Sequence, residues 1–217
     1  MEFFKYKNKL TPGKGRILVS EPYLPDPNFE RTIILLCEHN EEGSFGFVMN
    51  KPSEAAVEEV LQDIKSYPGK VYIGGPVQQD TLHFIHRYPA LEDAVEIAEG
   101  IFWGGNFDRL IFLLQTKQIE PQDVKFFIGY SGWSEGQLDE ELGSDSWIVS
   151  DQVTEELIFE TNPKIMWQKV LKNMGGRFSV YSNYPEDPRL NWMNLVFLQV
   201  QWLEGGFSMG VDKPLVS

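Results

Sequence analysis

Three histidines, one cysteine and a serine set among glycines are the groups in this chain best suited to chemistry, and their spacing limits what they can do. Cys37 and His39 stand two apart, which on an extended strand puts both side chains on one face. Together with His83 and His86 they would supply the nitrogen and sulfur donors that a tetrahedral zinc site uses. His83 and His86, however, stand three apart in a segment that reads as a strand, so they point to opposite faces. The set then reads as a buried cysteine plus hydrogen-bonded histidines, and no metal is expected. Ser131, within Gly129-Tyr130-Ser131-Gly132-Trp133, suggests a nucleophile with His39 as general base and Glu38 or Asp145 orienting it. Trp133 holds the place of the second glycine in the G-x-S-x-G elbow, and a serine beside glycine in a tight turn ordinarily bonds backbone.

Anion chemistry fares no better. The glycine-rich run Gly129–Gly136 reads as a strand-to-helix turn, whose free N–H groups could cradle a phosphate, yet Glu135, Asp139, Glu140 and Glu141 crowd the same helix start. Gly74-Gly75-Pro76 is followed by no Lys-Ser/Thr pair and reads as a plain turn. No catalytic set and no cofactor are expected on these grounds. A small-molecule hydrolase or ligand-binding enzyme using Ser131 and His39 is the alternative.

The elements that must position these residues follow from periodicity. Gly15–Ser20 reads as a strand, Glu21–Pro27 as a proline-broken turn, and Thr32–His39 with Ser44–Asn50 as a hairpin around the four-residue loop Asn40–Gly43. Ser53 is a credible N-cap for a helix running to about Ile64, with Val57, Val60, Leu61 and Ile64 as its apolar stripe. Val71–Gly74, Thr81–Arg87, Val124–Tyr130 and Trp147–Ser150 read as strands. Asn106–Thr116 reads as a helix, Glu135–Leu142 as another begun by a Ser134/Gln137 capping box, and Pro163–Asn173 as a third that ends near Gly175-Gly176. Residues 1–12 read as a loosely held arm. Near the C-terminus Val196, Leu198, Val200 and Trp202 alternate with other residues as a half-buried strand, which could pair with a sheet edge of its own chain or of a second copy in a homo-oligomer. Hairpins mixed with single helices, without steady β-α-β alternation, argue for an α+β fold with mixed sheets.

The totals set the outer limits. With 217 residues, 42% apolar and 13% aromatic, the chain can bury one sizeable core as a single domain. The net charge of −13 repels phosphate backbones, so direct nucleic-acid binding is disfavoured. The lone Cys37 lies beside Ile33-Ile34-Leu35-Leu36 and reads as a small buried hydrophobe in a reducing compartment. No signal-peptide core and no membrane-length apolar run are present in the sequence, which points to a cytoplasmic protein without membrane contact.

Five segments in one order carry a resemblance: Asp26–Thr32, Cys37–Gly43, Gly46–Pro52, Gly74–Val77 and Gly129–Leu138. Taken together they resemble the AlgH/YqgE family over roughly residues 10–191. The resemblance implies a single α+β domain over residues 13–191, with mixed sheets of which part curls into a small barrel-like unit, surrounded by helices. It implies no reaction, cofactor or catalytic residues, and brings only the label of transcriptional regulator. Residues 192–217 fall outside it as a C-terminal extension. The function expected is a non-enzymatic cytoplasmic module that binds an unidentified protein partner, with Glu38, His39, Asn50, Tyr130, Gly132, Trp133 and Gln137 as the candidate binding surface.

Overall fold

The computed structural model describes residues 8–64 and 67–186. The chain divides into two compact units, 1–182 and 183–217, and the architecture lies in the first. The alternating segment at 196–202 lies outside the described residues.

Strands β1 (Ile17–Ser20), β2 (Ile33–Asn40) and β3 (Gly43–Val48) are apolar at most of their buried positions, Ser20 and Ser44 being the polar exceptions. The sheet buries both faces there, because alternate residues feed two different cores: Ile17, Val19, Ile33, Leu35 and Phe47 on one side, Leu18, Ile34, Leu36 and Val48 on the other. The hairpin is tighter than expected. Asn40 pairs with Gly43, so Glu41-Glu42 alone form the turn, and a bulge between Leu36 and Glu38 shifts the register near Cys37. Cys37 is buried, as its neighbours predicted, and burial pushes its thiol well above the ordinary range.

Beyond the hairpin the sequence pattern misleads. Pro52–Ala56 forms strand β4, with Pro52 opposite Tyr72 and Ala56 opposite Lys70 of β5 (Lys70–Ile73). Only the single turn α1 (Val57–Val60) is helical, and the Ser53 hydroxyl accepts from Ala55 N instead of capping a long helix. Pairing with a strand distant in sequence outweighed a local N-cap signal. Strand β6 (Val77–His86) is longer than predicted, and β7 (Val95–Ala98) and β8 (Ile101–Trp103) form a short hairpin that carries no clear periodic signal.

Strand β9 (Val124–Ser134) organises the sheet. It pairs antiparallel with β6 along one side, and on the other with β5 in parallel at Tyr72–Phe127, then with β3 in antiparallel fashion at Gly43–Ser134. The main order is β10-β1-β2-β3-β9-β6-β8-β7, where β10 is Trp147–Ser150. This path has two distinct ends, so the sheet is open and the barrel-like curl implied by the resemblance is absent among the described residues. Closure would require an end strand to pair across, whereas among the described residues β10 and β7 each pair with a single strand. The mixed sheet and the single α+β domain are as expected.

Helices α2 (Phe107–Gln115) and α4 (Pro163–Met174) match their sequence signals closely. Asn106 and Asn162 cap them by accepting from Arg109 N and Lys164 N, each at 3.0 Å. Helix α2 sets Leu110, Leu113 and Leu114 against Phe84, Val124 and Phe126, while Met166, Trp167 and Val170 of α4 cover the other face. The π-helical turn Glu156–Glu160 and α5 (Gly176–Tyr181) were not anticipated. The expected loose N-terminal arm is tied down where it can be described: Asn8 accepts from Val149 N and donates to Trp147 O, extending the β10 edge.

Candidate functional site

The run Gly129–Ser134 is strand, not turn, and this changes how the candidate surface is built. The turn comes later, at Glu135-Gly136, where Gly136 takes a left-handed φ of 72° before α3 (Gln137–Gly143). Ser134 N and its hydroxyl both donate to Gln137 Oε1, so the predicted Ser134/Gln137 pairing exists, but from the end of the strand, two residues before the helix's N-cap Gly136.

Cross-strand registers sort the candidates onto two faces. His39 lies opposite Ser44, and Ser44 opposite Trp133, so these three side chains share a face. Glu38, Phe45 and Gly132 form the adjacent row on the reverse face, together with Tyr130 two residues along. Tyr130 is half-buried there, edge-on to Phe45 at 6.1 Å and to His83 at 5.9 Å. Gly132 is kept small by that ring, since a Cβ would meet it at 3.0 Å. Glu38 accepts from Asn40 Nδ2 at 2.6 Å and is exposed.

Trp133 is only 6% exposed. Its indole N–H donates to Glu141 Oε2 at 2.9 Å, the Trp147 indole donates to the same oxygen at 2.7 Å, and Gln137 Nε2 donates to Oε1 at 3.0 Å. Glu141 of α3 thus gathers three donors and locks the helix onto the strand. Sequence reading had treated Glu141 only as one of several charges at a helix start. Its long-range partners lie in side-chain geometry that spacing does not encode.

Asn50 stands apart from the other six. It sits at the open end of the β2–β3 hairpin, accepts from Ile33 N at 2.9 Å and donates to Arg31 O at 2.8 Å. Its amide is therefore occupied in holding backbone. Replacing it with alanine leaves the Ile33 N–H, in a fully buried residue, without its acceptor, and Asn50→Ala is expected to lower stability by about 1–3 kcal/mol. Urea unfolding checks this, and a loss below ~0.5 kcal/mol would show that another group takes over the bond.

The two polar groups of the hydrolase alternative are not brought together. Ser131 is fully buried and its hydroxyl donates to Gly74 O at 3.0 Å. His39 Nδ1 lies 2.7 Å from Ser44 Oγ. Strand β3 runs between His39 and Ser131, and two strand spacings amount to roughly 10 Å. The donors of the zinc hypothesis are likewise dispersed: His83 bonds the Thr81 hydroxyl, while fully buried His86 bonds Gly104 O and accepts from Tyr88 N on the opposite face. Burial lowers the pKa of both histidines.

What the fold does assemble is a surface cleft of about 540 Å³ between the β2–β3 tip and the β9–α3 turn, with His39, Ser44 and Leu138 in its lining and Glu41, Glu135 and Asp139 around them. A second groove of about 220 Å³ adjoins it through Asn40, Gly43 and Ser44, and adds Glu38 and Glu42. Five carboxylates thus line one end of the sheet. Among the described residues no helix is long and apolar enough to cross a membrane.

A single mixed α/β domain on an open, mostly antiparallel sheet, with an anionic cleft at the hairpin end, is the class of protein that this fold and surface define. The chain belongs to the AlgH-like family (DUF179), whose model matches residues 17–179. It is 48% identical over 180 residues to a UPF0301 protein of Cytophaga hutchinsonii, covering 82% of this chain and 98% of the relative. A UPF0301 protein of Chlorobium limicola is 43% identical over 185 residues, 85% of this chain and 97% of its own. Among solved structures, the solution structure of the AlgH protein from Pseudomonas aeruginosa matches with a TM-score of 0.64 at 26% identity, covering 82% of this chain and 98% of that one. A Corynebacterium diphtheriae protein matches with a TM-score of 0.68 at 22% identity over 82% of this chain and 95% of that one, which shows a shared fold. The motif resemblance is thereby borne out.

Proposed function

We propose that this protein is a cytoplasmic recognition module that binds another protein through the cleft between the β2–β3 tip and the β9–α3 turn, without breaking a covalent bond there. The observation that carries the reading is the cleft itself, lined by Glu41, Glu135 and Asp139, with Glu38 and Glu42 in the adjoining groove. Set in a chain of net charge −13, that lining favours a partner segment rich in lysine or arginine and disfavours nucleic acid. The family's regulator label fits a protein that acts through protein contact in place of direct DNA contact. His39 and Ser44 supply hydrogen-bonding groups among the carboxylates, which suits backbone as well as side-chain recognition.

The test is cross-linked capture from native lysate, comparing the natural chain with a Glu135→Lys/Asp139→Lys variant. Both residues are exposed, so the variant is expected to stay within ~0.5 kcal/mol of normal stability. Partners recovered by the natural chain should be lost by the variant, and their yield should fall as salt rises from about 50 to 200 mM. Equal recovery of the same partners by both proteins would remove this cleft as the docking surface.

A further inference from the structure

A lysine interrupts the most buried stretch of β9, Val124-Lys125-Phe126-Phe127, and nothing in the anionic cleft uses it. Val124 and Phe126 face the α2 core, so Lys125 points the other way, as Phe127 does. Lys125 is 8% exposed. Its Nζ lies 2.9 Å from the Tyr72 hydroxyl and 4.1 Å from the Tyr72 ring centroid. Among the described residues no carboxylate pairs with it, although carboxylates are plentiful in this chain. Asp123, two residues away on the same strand approach, is taken by Arg87 at 2.8 Å. A buried ammonium with only a neutral phenol beside it is an expensive arrangement, ordinarily avoided unless the amine has a use.

The amine also has a place to work. Lys125 and Tyr72 line a separate cleft of about 210 Å³, with Tyr67, Gly69, Gln122 and Phe159 among the other walls. A volume of about 150 Å³ is enough to hold benzene in an engineered cavity, so the cleft is large enough to admit a molecule of that size. Tyr67 is fixed as a rigid wall, its hydroxyl donating to Pro121 O at 2.6 Å and Val124 O at 3.0 Å.

We propose that Lys125 is a carbonyl-reactive amine that takes small aldehydes from this cleft as imines, with the Tyr72 hydroxyl assisting the loss of water. In the first step the Nζ lone pair forms a bond to the aldehyde carbon, the carbonyl π pair moves onto oxygen, and the proton released from nitrogen ends on that oxygen. In the second, the carbinolamine hydroxyl leaves as water with a proton supplied by Tyr72, nitrogen closes the C=N bond as an iminium, and the Tyr72 phenolate takes back the remaining N–H proton to leave the imine. One amine and one aldehyde give one imine and one water, and no oxidant or reductant enters. Burial without a counter-charge favours the neutral nucleophile, drawing the Lys125 pKa down to about 8. An ordinary lysine at about 10.4 holds roughly 200-fold less neutral amine at pH 7. Burial also raises the Tyr72 pKa, which keeps the phenol protonated and able to donate. The other titratable groups lining this cleft are Tyr67, itself raised chiefly by burial, and Lys70, which is bound to Glu54 at 3.0 Å.

The full chain treated with benzaldehyde and cyanoborohydride at pH 7.5, followed by peptide mass mapping, tests the assignment. Lys125 should be alkylated at least tenfold faster than exposed Lys117, Lys164 and Lys172, and Tyr72→Phe should slow Lys125 several-fold while leaving those three unchanged. Modification of Lys125 no faster than the exposed lysines overturns the proposal, and does so on the natural chain alone, whether or not any variant folds. An unchanged Lys125 rate in a folded Tyr72→Phe protein overturns the part given to the phenol.

Discussion

Trp133→Ala lowers the free energy of unfolding by about 3–5 kcal/mol, the loss expected when a large aromatic leaves a packed interior. The ring is 6% exposed, stacks on Phe29 at 6.5 Å and meets Trp147 edge-on at 6.0 Å. Its removal opens a cavity beneath α3 and leaves Glu141 Oε2 with one indole donor where it had two. The cavity dominates, because Glu141 is half-buried and water can reach the vacated side of its carboxylate. Trp133→Phe keeps most of the volume but not the N–H, and should cost about 1–2 kcal/mol. Urea unfolding of the two variants separates these terms, and a loss below ~1 kcal/mol for Trp133→Ala would mean that this core collapses around the gap. The same burial makes Trp133 a poor probe of recognition. Loss of partner capture by its alanine variant would report unfolding, whereas Glu135 and Asp139 can be reversed on a standing fold.

The second large effect falls on a glycine. Gly129→Ala is expected to cost at least ~3 kcal/mol, while Gly136→Ala, seven residues on with nearly the same backbone angle, costs only about 1 kcal/mol. Both have left-handed φ, 64° and 72°. At Gly129 a Cβ would stand 2.6 Å from Val77 O and 2.9 Å from Gly75 O, both backbone atoms of a neighbouring strand and its approach, and neither can swing aside. At Gly136 an added Cβ would meet no described atom within 4 Å beyond its chain neighbours. The comparison isolates strand crowding from backbone strain, since the strain is common to the two sites. Equal losses in thermal unfolding would show that φ alone sets the cost.

Glycine density in this run was visible in the sequence, but its meaning was not. The run reads as a strand-to-helix turn, yet Gly129 and Gly132 both lie inside β9, with Val77 and Gly75 backbone close against one and the Tyr130 ring close against the other. The same logic explains the misread helix at Ser53. Its apolar spacing fitted a helix, yet backbone pairing of Pro52 with Tyr72 and of Ala56 with Lys70 offered the segment an alternative that no local window contains. Where the signal was local the expected element formed, as with the helix begun by Pro163 and the short apolar strands β1 and β10.

The candidate surface divided in the same way. Glu38 and His39 were rightly placed near a strand end, but the register at the hairpin sends them to opposite faces, and Asn50 is drawn off to brace Ile33 and Arg31. By itself the amino-acid sequence determined the family, the α+β class, the anionic character and those elements whose local signal met no distant competitor, such as α2, α4, β1 and β10. Tertiary structure alone decided that the sheet stays open, that Trp133 is core, that carboxylates from two separate turns share one cleft, and that Lys125 stands beside Tyr72 with no carboxylate among the described residues paired to it. The reason is physical: caps and periodicity are fixed by neighbours within a turn or two, whereas burial, charge pairing and strand register are set by groups tens of residues away.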